Sequence, residues 1–327
     1  MSSPRKIPDR GRSSVRVRLV TAILCMALGC GLYVCLRPFS FLLTMVQIRL
    51  GLGGIRSEYT PVDGQSIHYY VGGSGKPVVL VHGLGGRAED WMDLMPRLVR
   101  AGYRVYALDL LGYGRSARPE NAAYSIPEEA GIVEDFAASQ HLSRIDLVGW
   151  SMGGWIAQRV ALDRPALVRR LVVCGSAGLR FDLPYATDIL LPDTPGKLIQ
   201  LYTLLSSTKD PLPVPAFLRR DLLGLLRRNR WIIKRSLDSM LTGQDVLDNR
   251  LSALKMPVLI VWGNQDKLIP VSVGYAMHKA IPQSVLSVYD GCGHLAPEEC
   301  GARVGPDIVR FLSAEPALTG AARVSPQ

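Results

Sequence analysis

Histidine is scarce in this chain and cysteine is poorly placed for metal or crosslink chemistry, with five histidines and six cysteines among 327 residues. No C-x-x-C pair and no His/Cys cluster occurs, so the spacings of a zinc or iron–sulfur site are missing and no metal is expected. Cys25, Cys30 and Cys35 fall inside one apolar run, where thiols pack as small apolar groups. That excludes the disulfide framework of a small secreted domain. Of the remaining three, Cys292 and Cys300 could pair in an oxidising compartment, but the expectation is two buried thiols. Internal repeats are absent, and so are low-complexity tracts apart from a polar tail after Ser313. Acidic residues are also in deficit. The 38 Lys+Arg against 28 Asp+Glu leave a net charge of +10, which raises the question of nucleic acid.

The placement of the charge argues against a nucleic-acid partner. Arg5, Lys6, Arg10, Arg12, Arg16 and Arg18 stand against Asp9 alone, directly before an apolar run. A second group between Arg219 and Arg235 is interleaved with Leu222, Leu223, Leu225, Leu226, Trp231, Ile232 and Ile233. Basic residues beside apolar surface point to a membrane. Residues 19–36 carry no charge, and at 1.5 Å per residue they span about 27 Å, close to the hydrocarbon core of a bilayer. Residues 1–18 read as a basic cytoplasmic tail, 19–36 as a transmembrane anchor and 37–56 as a juxtamembrane segment. Within that segment, residues 39–48 would lie in the interface or extend the anchor, and 51–54 would form a flexible link. A cleavable signal peptide and a weak lipoprotein box at Cys30 are the rival readings, but the apolar run continues past Cys30 without a small-x-small site.

Beyond the anchor, the length suffices for one large α/β domain with an insertion or for two small domains. Short apolar runs at 66–71, 77–81, 104–110, 145–148, 168–174, 257–262 and 285–289 read as strands. Helical patterns at 89–101, at 126–140 and after Ser151 alternate with them. The alternation predicts a mostly parallel sheet flanked by helices, with reacting groups at the carboxyl ends of the strands. Residues 180–250 break the rhythm with six prolines followed by Leu- and Arg-rich helical patterns, too long for a loop. They read as an inserted helical lid. The core is then 57–179 plus 251–314, and 315–327 is a flexible tail.

Chemistry enters at Gly149-Trp-Ser151-Met-Gly153, where an apolar strand runs into Gly-x-Ser-x-Gly and then into a helix. A serine in such a turn stands exposed at the sheet end, and only small neighbours let the turn close. A serine hydroxyl needs a base, and the base needs an orienting carboxylate. His68, His141 and His278 read as structural or solvent-facing. His294, in Gly291-Cys-Gly-His294 after the last core strand, is the base candidate. Asp266, just past the preceding strand, is the carboxylate, with Asp290 in reserve. The order Ser151, Asp266, His294 is the one an α/β-hydrolase arrangement requires. Backbone N–H groups of Met152 and Leu84 are candidate donors to an oxyanion. His82 and Gly83 would support the Gly-rich loop at 82–86.

Four landmarks in order, His82-Gly-Leu-Gly-Gly86, Asp109-Leu-Leu-Gly-Tyr-Gly-Arg-Ser116, Gly149-Trp-Ser-Met-Gly153 and Gly263-Asn-Gln-Asp266 with Gly293-His294, make residues 57–312 resemble the α/β-hydrolase fold family. The anchor, elbow and lid together are similar to membrane-anchored monoacylglycerol lipases and carboxylesterases. The resemblance implies a serine hydrolase acting on a small-molecule ester or lipid, with no cofactor. Rival functions are C–C bond hydrolysis or haloperoxidase-like perhydrolysis on the same triad, and a non-catalytic membrane-tethered binding module. Mammalian lipases of this type are thought to keep their catalytic domain on the cytosolic side. In this chain the basic cluster precedes the apolar run, and the positive-inside bias puts the catalytic domain outside.

Overall fold

The computed structural model describes residues 10–208 and 215–325, so Arg5 and Lys6 of the basic tail and Pro211 and Pro213 of the lid region lie outside the described residues. Helix α1 (Arg10–Leu36) contains one stretch, Arg18–Leu36, long and apolar enough to cross a membrane by length and composition, and none of that stretch is buried against the protein. At Arg37 the backbone leaves helical geometry (φ −136°, ψ 53°), and Pro38 opens α2 (Pro38–Leu52), as proline's fixed φ favours. The glycines expected to form a flexible link are therefore divided. Gly51 lies within α2, while Gly54 (φ 77°) turns the chain toward β1 (Arg56–Val62).

Strand β1 was not foreseen, because it is half exposed and carries no apolar run. It pairs with β2 (Gln65–Gly72) through a two-residue turn at Asp63-Gly64, both with positive φ, the geometry whose twist matches a hairpin. The following elements are β3 (Lys76–Val81), α3 (Leu94–Arg100), β4 (Tyr103–Leu108), α4 (Ile126–Ser139), β5 (Ile145–Trp150), α5 (Met152–Asp163) and β6 (Val168–Cys174). The helices α6 (Pro195–Leu205) and α7 (Ala216–Leu241), in the insertion expected to form a lid, come next. Then follow β7 (Val258–Gly263), α8 (Val271–Ala280), β8 (Val285–Tyr289), α9 (Ala296–Glu299), α10 (Gly301–Ser313) and β9 (Ala321–Ser325). The helix expected over 89–101 starts only at Leu94, which leaves Pro96 in the first turn, where its missing N–H costs nothing.

The nine strands form one sheet in the order β1-β2-β4-β3-β5-β6-β7-β8-β9. The β1/β2 and β2/β4 pairs are antiparallel and the remainder parallel. Alternate side chains of the central strands enter opposite cores. Val79, Val81, Ile145 and Leu147 join one cluster, and Val78, Leu80, Val148 and Trp150 the other. The tail expected to be flexible supplies β9, which pairs along the outer edge of β8 and covers hydrogen-bonding groups that an edge strand would otherwise expose.

Glu129 of α4 is fully buried, with Oε2 accepting from the Leu111 N–H (3.1 Å) and Oε1 without a partner. Burial raises its carboxyl well above the usual range, against the lowering effect of that backbone bond. A group whose folded pKa is raised contributes stability that is fully present below its unfolded pKa, about 4.3, and is lost as pH rises through the folded value. Glu129→Gln keeps an acceptor for Leu111 and removes the titration. Its melting-temperature gain over the wild type should widen from pH 5 to pH 8, and a pH-independent offset would contradict this account.

Candidate active site

Strand β5 delivers Ser151 into a left-handed backbone, φ 57° and ψ −119°, that costs a non-glycine residue on the order of 1–3 kcal/mol. The surroundings hold it there. The Ser151 N–H donates to the Cys174 carbonyl at the end of β6 (2.9 Å), and the Ser151 carbonyl accepts from the N–H groups of Gly154 (3.0 Å) and Trp155 (3.2 Å). The flanking glycines are steric necessities. A Cβ on Gly149 would stand 2.1 Å from the Gly153 carbonyl oxygen, and one on Gly153 would stand 2.3 Å from that of Val81. Met152 is the first residue of α5, so its N–H has no partner within the helix.

On neighbouring strand ends, the loops after β7 and β8 bring Asp266 and His294 together. Nδ1 of His294 lies 2.8 Å from Oδ2 of Asp266, with both residues buried. The other oxygen, Oδ1, accepts from the Leu268 (2.9 Å) and Ile269 (2.8 Å) N–H groups, which fixes the orientation of the carboxylate. The main chain of His294 is clamped from two sides. Its N–H donates to the Leu205 carbonyl at the end of lid helix α6 (2.8 Å), and its carbonyl accepts from Trp150 Nε1 (3.0 Å). Asp290, the reserve carboxylate, is bound instead by Asn264.

The Gly-rich loop after β3 lies against the serine, where a Cβ on Gly83 would be 3.1 Å from Ser151 Cβ and 3.7 Å from Oγ. His82 is fully buried beneath it. Nε2 accepts from the Leu110 N–H (3.1 Å), so Nδ1 carries the proton and donates to the Gly83 carbonyl (2.8 Å). Burial lowers the His82 pKa, outweighing the nearby Asp109, and keeps the ring neutral. Leu84 follows in the same loop, partly buried against the core. The other histidines have separate partners or settings: His68 lies 2.7 Å from Asp109, His278 lies 2.8 Å from Ser284 Oγ, and His141 sits in a turn at φ 56°.

Sequence reasoning missed Gly175, at φ 47° directly after β6. A Cβ there would stand 3.3 Å from both Asp266 Oδ2 and His294 Nδ1. Its signal was a glycine at the end of a buried strand, which backbone curvature alone would also have explained. The clamp from Leu205 left no sequence signal, because it is a main-chain contact from the insertion.

Cys292 and Cys300, expected as two buried thiols, form a disulfide with their Cα atoms 6.2 Å apart. The bridge brackets His294. The Cys292 carbonyl accepts from the Gln265 N–H (2.9 Å), beside Asp266, and Glu299 accepts from the Gly293 N–H (3.0 Å) and the Ser207 N–H (3.2 Å). The crosslink therefore ties together the histidine loop, the aspartate loop and the end of α6. Among the described residues no group of three or more His, Cys, Asp or Glu side chains could hold a metal ion. Closing so short a loop is worth about 2–3 kcal/mol by chain entropy. Reductant should lower the melting temperature of the wild type and leave a Cys292→Ser/Cys300→Ser variant unchanged; equal effects on both would contradict a stabilising bridge.

A model of the alpha/beta hydrolase family matches residues 78–305. A 2-hydroxy-6-oxononadienedioate/2-hydroxy-6-oxononatrienedioate hydrolase of Klebsiella pneumoniae is 30% identical over 287 residues, 79% of this chain and 96% of its own. Among solved structures, a bacterial membrane phospholipase A shares 26% identity at a TM-score of 0.74, covering 90% of this chain and 99% of its own. A serine hydrolase involved in carbazole degradation shares 26% identity at a TM-score of 0.69, covering 79% and 99%. With its nine-stranded sheet, its helical insertion and a family match over most of its length, the chain belongs to the alpha/beta hydrolase family.

Proposed function

We propose that this hydrolase is a membrane-anchored serine esterase that cleaves lipid-like carboxylic esters such as monoacylglycerols. The observation that carries the reading is a strained, glycine-flanked Ser151 whose neighbours reach a buried His294–Asp266 pair: Trp150 Nε1 donates to the His294 carbonyl, and the Ser151 N–H donates to the Cys174 carbonyl, next to Gly175, which lies against both members of the pair. With Nδ1–H of His294 donating to Asp266, Nε2 is left as the base for the Ser151 hydroxyl. Ser151 Oγ attacks the ester carbonyl as the proton passes to His294. The N–H groups of Met152 and Leu84 take the oxyanion, and the alcohol leaves with the proton, giving an acyl-enzyme. Water then enters, loses a proton to His294 and releases the acid.

Lipid-like esters are favoured over other substrates by the apolar span of α1, by the lid, and by resemblance to the membrane phospholipase A. The Klebsiella relative's name supports a second reading, C–C bond hydrolysis on the same residues. The disulfide favours an oxidising compartment and so supports, with the basic residues that lead up to the uncharged run 19–36, a catalytic domain outside the cytoplasm. The basic tail, anchor, juxtamembrane segment and lid keep the boundaries 1–18, 19–36, 37–56 and 180–250 in this reading.

A fluorophosphonate probe should label the folded protein and fail to label Ser151→Ala, and labelling that survives the substitution would sink the reading. Ser151→Ala should lower kcat on long-chain monoacylglycerols by roughly 10⁴-fold or more. Asp266→Asn should lower it by about 10⁴-fold, because the imidazole loses its orienting partner. Turnover of a vinylogous 1,5-diketone with none of any carboxylic ester would favour the C–C reading instead.

A further inference from the structure

Helix α2 is fastened at both ends. At its amino end, the Phe39 (3.0 Å) and Ser40 (3.3 Å) N–H groups donate to Oδ2 of Asp221 on lid helix α7, and the Arg37 guanidinium lies 3.7 Å from Oδ1. Asp221 is itself buried, so a residue 182 positions away caps this helix in place of a local side chain. Farther along, Arg49 pairs with Asp93 (3.1 Å), and Leu50 is buried in the core under the sheet. The start of α2, separated from the apolar stretch only by Arg37, is thereby held against the lid.

A cleft of about 130 Å³ opens at this junction. Phe39 lines it from α2, Leu222, Leu226 and Ile233 line it from α7 beside the polar Asn229, and Gly85 and Gly86 line it with the polar Arg87 and Asp90 of the loop that follows them. Those two glycines belong to the same loop whose Gly83 lies against Ser151. One end of the cleft is thus made by the helix that leaves the apolar span, and the other by the loop beside the serine. Its α7 side, with Leu222, Leu226 and Ile233, suits a hydrocarbon chain, and a volume below the roughly 300–1,000 Å³ usual for ligand pockets suits one chain rather than two. The outward face of α2 continues the apolar surface, with Leu42, Met45 and Ile48 exposed.

We propose that the cleft between α2 and α7 is the membrane-side port through which a single-chain lipid ester reaches Ser151, its acyl chain lying along Leu222, Leu226 and Ile233. This rests on the serine-esterase reading above. Asp221 is a positioning residue that keeps the port in register with the end of α1. In this arrangement the acyl chain leaves the bilayer beside the exposed apolar residues of α2 and enters against the leucines of α7, which keeps much of it from water on the way.

A long-chain alkyl fluorophosphonate with a diazirine at the end of its chain tests the proposal on the full chain in phosphatidylcholine vesicles. After it reacts with Ser151, irradiation should crosslink the chain to Phe39 or to α7 between Leu222 and Ile233. Labelled Ser151 with crosslinks only elsewhere would overturn the port and leave the esterase reading standing, whereas no labelling of Ser151 would remove that reading and the port with it. A second measurement uses Asp221→Ala, expected to raise KM for a long-chain monoacylglycerol in vesicles at least tenfold. The same variant should keep p-nitrophenyl butyrate hydrolysis within twofold, and Asp221→Asn, which retains an acceptor for the α2 N–H groups, should restore most of the loss. Parallel losses on both substrates, or no loss on either, would overturn the positioning role.

Discussion

The left-handed turn at Ser151 is the constraint on which the rest of this structure depends. A side chain at φ 57° and ψ −119° is held there by main-chain hydrogen bonds through both its N–H and its carbonyl, and by two glycines whose replacement would drive a Cβ into neighbouring carbonyls. The strain is affordable only because β3, β5 and β6 are buried on both faces and cannot yield. The same parallel strands end side by side. Loops leaving β7 and β8 therefore deliver Asp266 and His294 to the level of the serine without any long-range adjustment.

The lid is part of this machinery as well as a cover over it. Leu205 at the end of α6 takes the His294 N–H, and Glu299 binds both the histidine loop and the segment that follows α6. Meanwhile α7 sends Ile232, Ile233 and Leu237 into the main core and Asp221 to the start of α2. A displacement of α6 and α7 would consequently be felt at His294 on one side and at α2 on the other. The Cys292–Cys300 bridge limits how far the histidine loop can follow.

Much of this was legible in the sequence, for definable reasons. Buried parallel strands are short apolar runs, so seven of the nine were readable from composition and spacing. The elbow announced itself through glycines that sterics make obligatory, and the partners through their order along the chain. The features that were missed have weak local signals. Strand β1 is half exposed, β9 lies in a polar tail, and both exist because a neighbouring strand offers an edge to pair with. The disulfide joins residues whose spacing is equally compatible with free thiols. The caps that matter most, Asp221 on α2 and Leu205 on His294, join positions 182 and 89 residues apart, and local reading does not reach across such separations.

The central claim is that Ser151 becomes covalently acylated with His294 and Asp266 as its base system. The most direct measurement is mass spectrometry of the enzyme after rapid mixing with a long-chain p-nitrophenyl ester and acid quench. An added acyl mass is expected on the peptide carrying Ser151, appearing within the burst of p-nitrophenol and accumulating no further at steady state. Continued turnover with no acylated peptide, or an adduct on a different residue, would contradict it.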